Sequence, residues 1–152
     1  LLTIHRTLGK LSGLTIGVCG DLKFGRTVHS LIDAMLRYPN NRYILISPEE
    51  LRLPEYEIEK LKEAGAEFKE TKDLEASIPE LDYLRLKDIY VLTPEKLKNA
   101  KESLGILHPL PRVNEISVQV DQDKRAKYFY QTLCGKQMRM ALILKLLGLD
   151  KD

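Results

Sequence analysis

The chain alternates short apolar runs with amphipathic stretches along its length. Residues 14–20 form an apolar run that includes Gly17 and Gly20, the pattern of a strand buried on both faces of a parallel sheet. Val28, Leu31, Ile32, Met35 and Leu36 then recur at the spacing of one helical face, which stops before Pro39. Residues 43–46 predict a strand closed by Ser47 and Pro48. Pro54 suits the first position of a helix with Ile58 and Leu61 inward and Gly65 as its stop. Residues 66–68 predict a short strand, 73–78 a short helix before Pro79, and 81–84 the start of another strand. A further strand is expected over 89–92, a helix over 95–100 capped by Thr93 and Pro94, and a strand over 105–107. Residues 124–147 read mostly as helix, interrupted or bent around Gly135, and residues 1–8 as the end of a helix stopped near Gly9. This alternation predicts an α/β fold. The expected architecture is a doubly wound, Rossmann-like parallel sheet of about five strands, with helices on both faces, right-handed crossovers and the strand over 14–20 at its centre.

Two segments stand out for their chemistry. Asp21-Leu-Lys-Phe-Gly-Arg-Thr-Val-His-Ser30 follows the central strand and places Arg26 and Thr27 at a helix N-terminus, where free N–H groups and the dipole favour an anion. A guanidinium there is a poor partner for the dipole, and its fork suits a carboxylate. His108-Pro-Leu-Pro-Arg112 follows the strand over 105–107, and its prolines hold the backbone extended. In an open parallel sheet, ligands bind outside the carboxyl ends of the strands, so both loops are expected to face one site. Gly17-Val-Cys-Gly-Asp21 lacks the Gly-x-Gly-x-x-Gly spacing of a dinucleotide site, and Lys23 and Phe24 are bulky where a pyrophosphate would approach. Its glycines are expected to serve close packing. His29 is expected to be structural, His108 a hydrogen-bonded residue closing its strand, and Arg112 and Glu115 an ion pair ordering the loop.

These residues resemble the aspartate carbamoyltransferase family. The segments 21–30 and 108–112 look like that family's signatures, as do Asn114-Glu-Ile116 and the ending Tyr128-Phe-Tyr-Gln131 with Arg139-Met-Ala-Leu142. The sister ornithine carbamoyltransferases carry His-Cys-Leu-Pro in the second loop, where this chain has Pro109. The resemblance implies an aspartate-binding domain over residues 1–152, preceded in the full protein by a phosphate-binding domain. It implies that Arg26 holds the aspartate carboxylates. Leu110 and Pro111 would line the carbamoyl phosphate end, with a cis bond before Pro111. The implied reaction is attack of the aspartate amine on carbamoyl phosphate, the step that starts pyrimidine synthesis. It would proceed with no covalent enzyme intermediate, no metal and no organic cofactor. The implied partners are L-aspartate and carbamoyl phosphate. The implied assembly is a catalytic trimer in the cytoplasm, in some members joined by regulatory chains. No residue of this chain is expected to be catalytic: the histidine that polarises the carbamoyl carbonyl belongs to the other domain. The chain alone is therefore expected to fold but not to turn over. A non-catalytic dicarboxylate-binding module of the same fold, or an inert folding fragment, remains an alternative.

Between Leu84 and Ile89 the sequence leaves too little chain for a crossover between parallel strands. The family has a Thr-Arg-x-Gln motif and a long loop there, including a second aspartate-binding arginine. A missing loop is therefore expected between 84 and 85. Composition narrows the remaining choices. Hydrophobic residues at 43% and charged residues at 30% suit a globular domain, and Lys plus Arg at 24 against Asp plus Glu at 22 leaves no basic stripe for nucleic acid. No apolar run is long enough for a membrane span, and the start has no signal-peptide layout and no initiator Met, as expected of a chain beginning inside a longer protein. Cys19 and Cys134 have no metal-ligand spacing and are expected to be buried thiols in a reducing compartment. The segment 140–147 is apolar on nearly every side, so part of it should lack a partner here and drive self-association through Leu142 and Leu146.

Overall fold

The computed structural model describes residues 1–87 and 89–149. Five strands form one sheet: β1 (Thr15–Gly20), β2 (Arg42–Ile46), β3 (Glu67–Thr71), β4 (Tyr83–Lys87) and β5 (Gly105–Leu107). Their order is β3-β2-β1-β4-β5, and every neighbouring pair is parallel. The strand expected at the centre is there, with Ile16 and Val18 buried. Alternation along the pleat sends side chains into two cores. Ile16, Val18, Tyr43 and Leu45 pack with Ile4 of α1 (Leu2–Leu8), with Val28, Ile32 and Met35 of α2 (Arg26–Met35), and with Ile58 and Leu61 of α3 (Glu55–Glu63). Cys19, Ile44, Ile46, Leu84 and Leu86 pack on the opposite face with Leu74 of α4 (Leu74–Ser77), the turns over 92–104, and Tyr128 at the start of α5 (Tyr128–Leu146). The expected α/β sheet with both faces covered is thus observed. Gly17 belongs to that packing: a Cβ there would sit 2.6 Å from Leu81 Cδ1, so the strand and its covering layer approach where only hydrogen fits. Cys19 and Cys134 are both buried and unpaired, and burial pushes the Cys19 thiol up.

The structure departs from the sequence reading between residues 84 and 104. Arg85, Leu86 and Lys87 are not a linker. They continue β4, with Arg85 opposite Val18 and Leu107, and Leu86 opposite Cys19. The backbone is ordered strand across Leu84 and Arg85, and the crossover to β5 is made after it; Asp88 lies outside the described residues. Residues 89–92 are not a strand. Ile89 is exposed with φ 57, and Leu92 makes only an isolated bridge to Ile116. The β-branched and aromatic run 89–91 suggested a strand, but both sides of β4 are already taken by β1 and β5. Residues 95–100 form turns closed by bonds such as Leu97 N–H to Pro94 C=O and Ala100 N–H to Leu97 C=O. A segment this short gains too few helical bonds to offset nucleation, and buried Leu97 anchors it as turns. Farther along, α5 starts at Tyr128 rather than near 124 and runs through Gly135 without a break.

Asn41 holds the amino-terminal end of the sheet. Its Oδ1 accepts from Leu14 N–H at 3.0 Å, and its Nδ2 donates to the carbonyls of Leu11, Met35 and Tyr38 at 2.9, 3.2 and 3.2 Å. One buried amide thereby ties the entry to β1 to the end of α2. Asn41→Leu is expected to cost about 2–4 kcal/mol in urea unfolding, because the groups it leaves stay buried and unpaired.

The carboxyl-terminal half of α5 has no apolar partner within the described chain. Leu142, Ile143, Leu146 and Leu147 are 56%, 55%, 77% and 66% exposed. Exposed apolar surface of this extent favours association. Analytical ultracentrifugation should show self-association that rises with concentration. The double variant Leu142→Lys, Leu146→Lys should sediment as a monomer.

Candidate functional site

β1 delivers the chain into the first loop at Asp21. The Asp21 carboxylate accepts from the N–H groups of Lys23 and Phe24 at 3.1 and 2.9 Å, which closes a tight turn. Gly25 completes it: a Cβ at that position would lie 2.4 Å from the Asp21 carbonyl oxygen. The turn starts α2 at Arg26 with no side-chain cap and no acidic residue in its first turn. The helix N-terminus is therefore open to an anion. Arg26 is exposed and makes no ion pair with any described residue, whereas Thr27 is bonded to Arg85. His29 is structural, as expected. Its Nε2–H faces the Leu22 carbonyl at 2.7 Å, and its Nδ1 lies 3.9 Å from Glu57 Oε1.

β5 delivers the second loop. His108 is buried, accepts the Leu110 N–H on Nδ1 at 3.0 Å and places Nε2 3.0 Å from Glu115 Oε1. Glu115 Oε2 accepts the N–H groups of Val113 and Asn114 at 2.9 and 2.8 Å. Burial opposes charge on Glu115. Backbone N–H donors, with His108 in addition, outweigh it and hold the carboxyl below its ordinary range. The Leu110–Pro111 bond is cis, Leu110 is half-buried with φ 45, and Pro111 is exposed. The expected Arg112–Glu115 pair is not formed. Arg112 makes a bidentate pair with Asp121, with Tyr128 Oη 3.2 Å away, while Glu115 is taken by His108 and the loop backbone. The fork geometry explains the choice, because Asp121 presents both oxygens to the guanidinium. Arg112 thereby pins the far end of the loop to the start of α5.

All five strands run the same way, so both loops lie at one edge of the sheet. A groove of about 390 Å³ joins them, lined by Thr27, Ser30 and Leu31 of α2, Arg85 and Leu107 of β4 and β5, Pro109 and Gln131. The structure brings Thr27 and Pro109 to the same groove. Arg26 and Leu110 lie outside its lining. Arg85 is the residue that sequence reading missed. Its signal is a cation in the run Tyr83-Leu-Arg-Leu86, where strand alternation points it into the apolar α1/α2 layer. Among the described residues no cluster of three His, Cys, Asp or Glu is arranged to hold a metal ion, and no helix is long and apolar enough to cross a membrane.

Residues 80–146 match the family model described as aspartate/ornithine carbamoyltransferase, Asp/Orn binding domain. The aspartate carbamoyltransferase catalytic subunit of Clostridium novyi is 55% identical, over 99% of this chain and 55% of its own length. That of Finegoldia magna is 56% identical, over 97% of this chain and 54% of its own. The chain belongs to the carbamoyltransferase family. The fold agrees. The catalytic subunit of M. jannaschii aspartate transcarbamoylase superposes with a TM-score of 0.90 at 36% identity, covering 97% of this chain and 53% of that one. The Trypanosoma cruzi aspartate transcarbamoylase solved with N-(phosphonacetyl)-L-aspartic acid superposes with a TM-score of 0.85 at 35% identity, covering 93% and 49%. The chain spans about half the length of the curated carbamoyltransferases it matches. The match to the Clostridium novyi subunit runs over 167 residues, more than the 152 of this chain, so that relative carries residues inside the matched span that this chain lacks.

Two outcomes follow from the loop geometry. Arg112 beside Asp121, with Tyr128 adding a hydrogen bond, brings the Asp121 carboxyl down to about 2 against the opposing effect of burial. A depressed folded value means the contribution is full above the ordinary carboxylate pKa and fades as pH falls from about 4 towards about 2. Chemical denaturation across that interval should show wild type losing stability faster than Asp121→Asn. Gly25→Ala should displace the first loop, because the obstructing atom is backbone. Nuclear magnetic resonance shifts of the 21–30 amides should move, with those of β3 unchanged.

Proposed function

We propose that this chain is the aspartate-binding half of an aspartate carbamoyltransferase. The complete enzyme transfers the carbamoyl group of carbamoyl phosphate to L-aspartate, giving N-carbamoyl-L-aspartate and phosphate in de novo pyrimidine biosynthesis. The observation that carries this reading is the unpaired Arg26 at the open start of α2, in a chain more than half identical to catalytic subunits of that enzyme. Arg26 offers a bidentate fork to an aspartate carboxylate, and the amide dipoles of the helix start add to its field. Leu110 and Pro111 stand at the carbamoyl phosphate end, where the loop backbone supplies carbonyl acceptors for the carbamoyl N–H groups. Catalysis of this kind needs the two substrates held in line and charge stabilised as phosphate departs. The first loop of this chain serves the aspartate side and the second meets the carbamoyl group. The rest of the relatives' length serves the phosphate side, so this chain alone is inactive.

We place the residues that the Clostridium novyi subunit has in excess at the β4 end, where the family carries its second aspartate-binding arginine. That absence favours a second reading, a dicarboxylate-binding module without turnover. We assign the complete enzyme to the cytoplasm, as a catalytic trimer joined in some lineages by regulatory chains. Supplied with the phosphate-binding half of a relative, the chain should form carbamoyl aspartate. Arg26→Ala should raise the aspartate KM and lower kcat by about 100-fold or more, in the range of lost charge-assisted contacts. Arg26→Lys should recover little of it, because a point charge does not replace the fork. Equal kinetics in wild type and both variants would remove Arg26 from the site, and binding of the bisubstrate analogue without turnover would select the second reading.

A further inference from the structure

His29 joins three pieces of the chain: α2, on which it lies, the first loop and α3. Its Nε2 is 2.7 Å from the Leu22 carbonyl. A carbonyl only accepts, so that nitrogen carries a proton. A neutral ring then presents a bare lone pair at Nδ1, and Nδ1 faces the Glu57 carboxylate at 3.9 Å. Two acceptors thus oppose each other across the gap. Glu57 is 2% exposed, and a carboxylate so deeply buried needs donors. Lys60 supplies one to Oε1 at 2.9 Å, but Lys60 is shared with Asp33 at 3.0 Å on the solvent side. Oε2 has no hydrogen-bond partner.

A proton on Nδ1 removes the conflict. It turns the opposed acceptors into an ion pair, and closing the gap by about 1 Å makes a charge-assisted hydrogen bond. The last torsion of the carboxylate is soft, so either oxygen can take that bond. The other groups around the ring are engaged elsewhere. Tyr56 of α3 meets it edge-on, with centroids 6.1 Å apart. On α2, Asp33 is held by Lys60, and Arg26, one turn before His29, is exposed. On the first loop, the Asp21 carboxylate is turned to the Lys23 and Phe24 N–H groups. In the turn over 49–51, the Leu51 carbonyl accepts the Leu22 N–H, and Glu49 is paired with Arg52 and Lys72.

We infer that Glu57 and His29 are positioning residues for the first loop and act as a proton-dependent latch. With Nδ1 protonated, Glu57 holds the imidazolium, the imidazolium holds Leu22, and the turn that carries Arg26 is fastened to α3. Leu22 is the point of attachment: it is buried, bonded through both its N–H and its carbonyl, and adjoins the Asp21 that closes the turn. When the proton leaves, Nδ1 and Glu57 repel, and a neutral ring is the weaker donor to Leu22. Histidine changes charge near physiological pH, so the latch is set at the acid end of that range and slackens as pH rises. It lies on the face of α2 opposite Thr27, Ser30 and Leu31, which line the groove. The latch holds the loop whatever the loop binds; only its consequence for substrate rests on the proposed function.

The test is nuclear magnetic resonance of the chain from about pH 5 to 8, following the His29 ring and the 21–30 amides. In wild type the loop amides should shift with the same midpoint as the His29 ring. Glu57→Gln keeps the shape and removes the charge. It should move that common midpoint to lower pH and cost the loop amides about tenfold in hydrogen-exchange protection at the acid end. His29→Gln still offers a donor to Leu22 but carries no charge, so its loop should fold and show no pH response. It carries the comparison if Glu57→Gln does not fold. Loop amides that ignore the His29 titration in wild type, or that titrate unchanged in either variant, would overturn the inference. In the enzyme completed with the phosphate-binding half of a relative, the aspartate KM should rise with pH over the same range in wild type and less so in His29→Gln. Loop amides that titrate beside an aspartate KM identical in both would leave the latch standing and count against Arg26 as the aspartate contact.

Discussion

The structure depends on the parallel pairing of β1 with β2 on one side and β4 on the other. Parallel strands need both faces covered, because each connection must cross over the sheet. That requirement accounts for the two apolar cores, for the buried alternation of β2, and for Gly17, whose missing side chain lets Leu81 close on the central strand. It also collects the carboxyl ends of all strands at one edge. The two loops that matter chemically are neighbours in space for that reason, although more than seventy residues separate them in the sequence.

Within that frame each loop is fixed by its own short-range chemistry. The first uses an aspartate that bonds the next two N–H groups and a glycine where a side chain would strike backbone. The second uses a buried histidine and glutamate that bond loop amides from inside, and an arginine that ties the far end to α5. Much of the polar density of the chain is thus spent on holding loops still. Arg26 on the surface and Arg85 in the interior are two of the cations without an acidic partner among the described residues, and Thr27 adjoins both.

The sheet was legible in the sequence because buried parallel strands write themselves as apolar runs, and 14–20 and 43–46 are such runs. Helix α2 was legible from its spacing, the role of His29 from its place on that helix, and the role of His108 from its place at a strand end. The region 84–104 was not. Its strand contains Arg85 and Lys87, which read as linker, and its most β-like run, 89–91, finds no free place in the sheet. Ion pairing was equally hidden. Arg112 and Glu115 are three residues apart and look like partners, yet one reaches Asp121 and the other turns inward, a choice made by tertiary geometry. Asn41 carries no local sign of its four bonds, since its partners come from two separate segments, 11–14 and 35–38.

The two borders of the sheet are treated differently. At β3 the exposed border is written in charge, Glu67, Lys69 and Glu70, which discourages another strand from adding there. At β5 the chain occupies its own border: Ile106 N–H donates to the Arg125 carbonyl at 2.8 Å, and Lys127 N–H donates to the Ile106 carbonyl at 2.9 Å. Growth by strand exchange is therefore closed off at one border and repelled at the other. The surface left for copies of this chain to meet is the apolar side of α5, where contacts are made by side chains and can dissociate, rather than a bare strand edge that would recruit backbone into fibre-like growth.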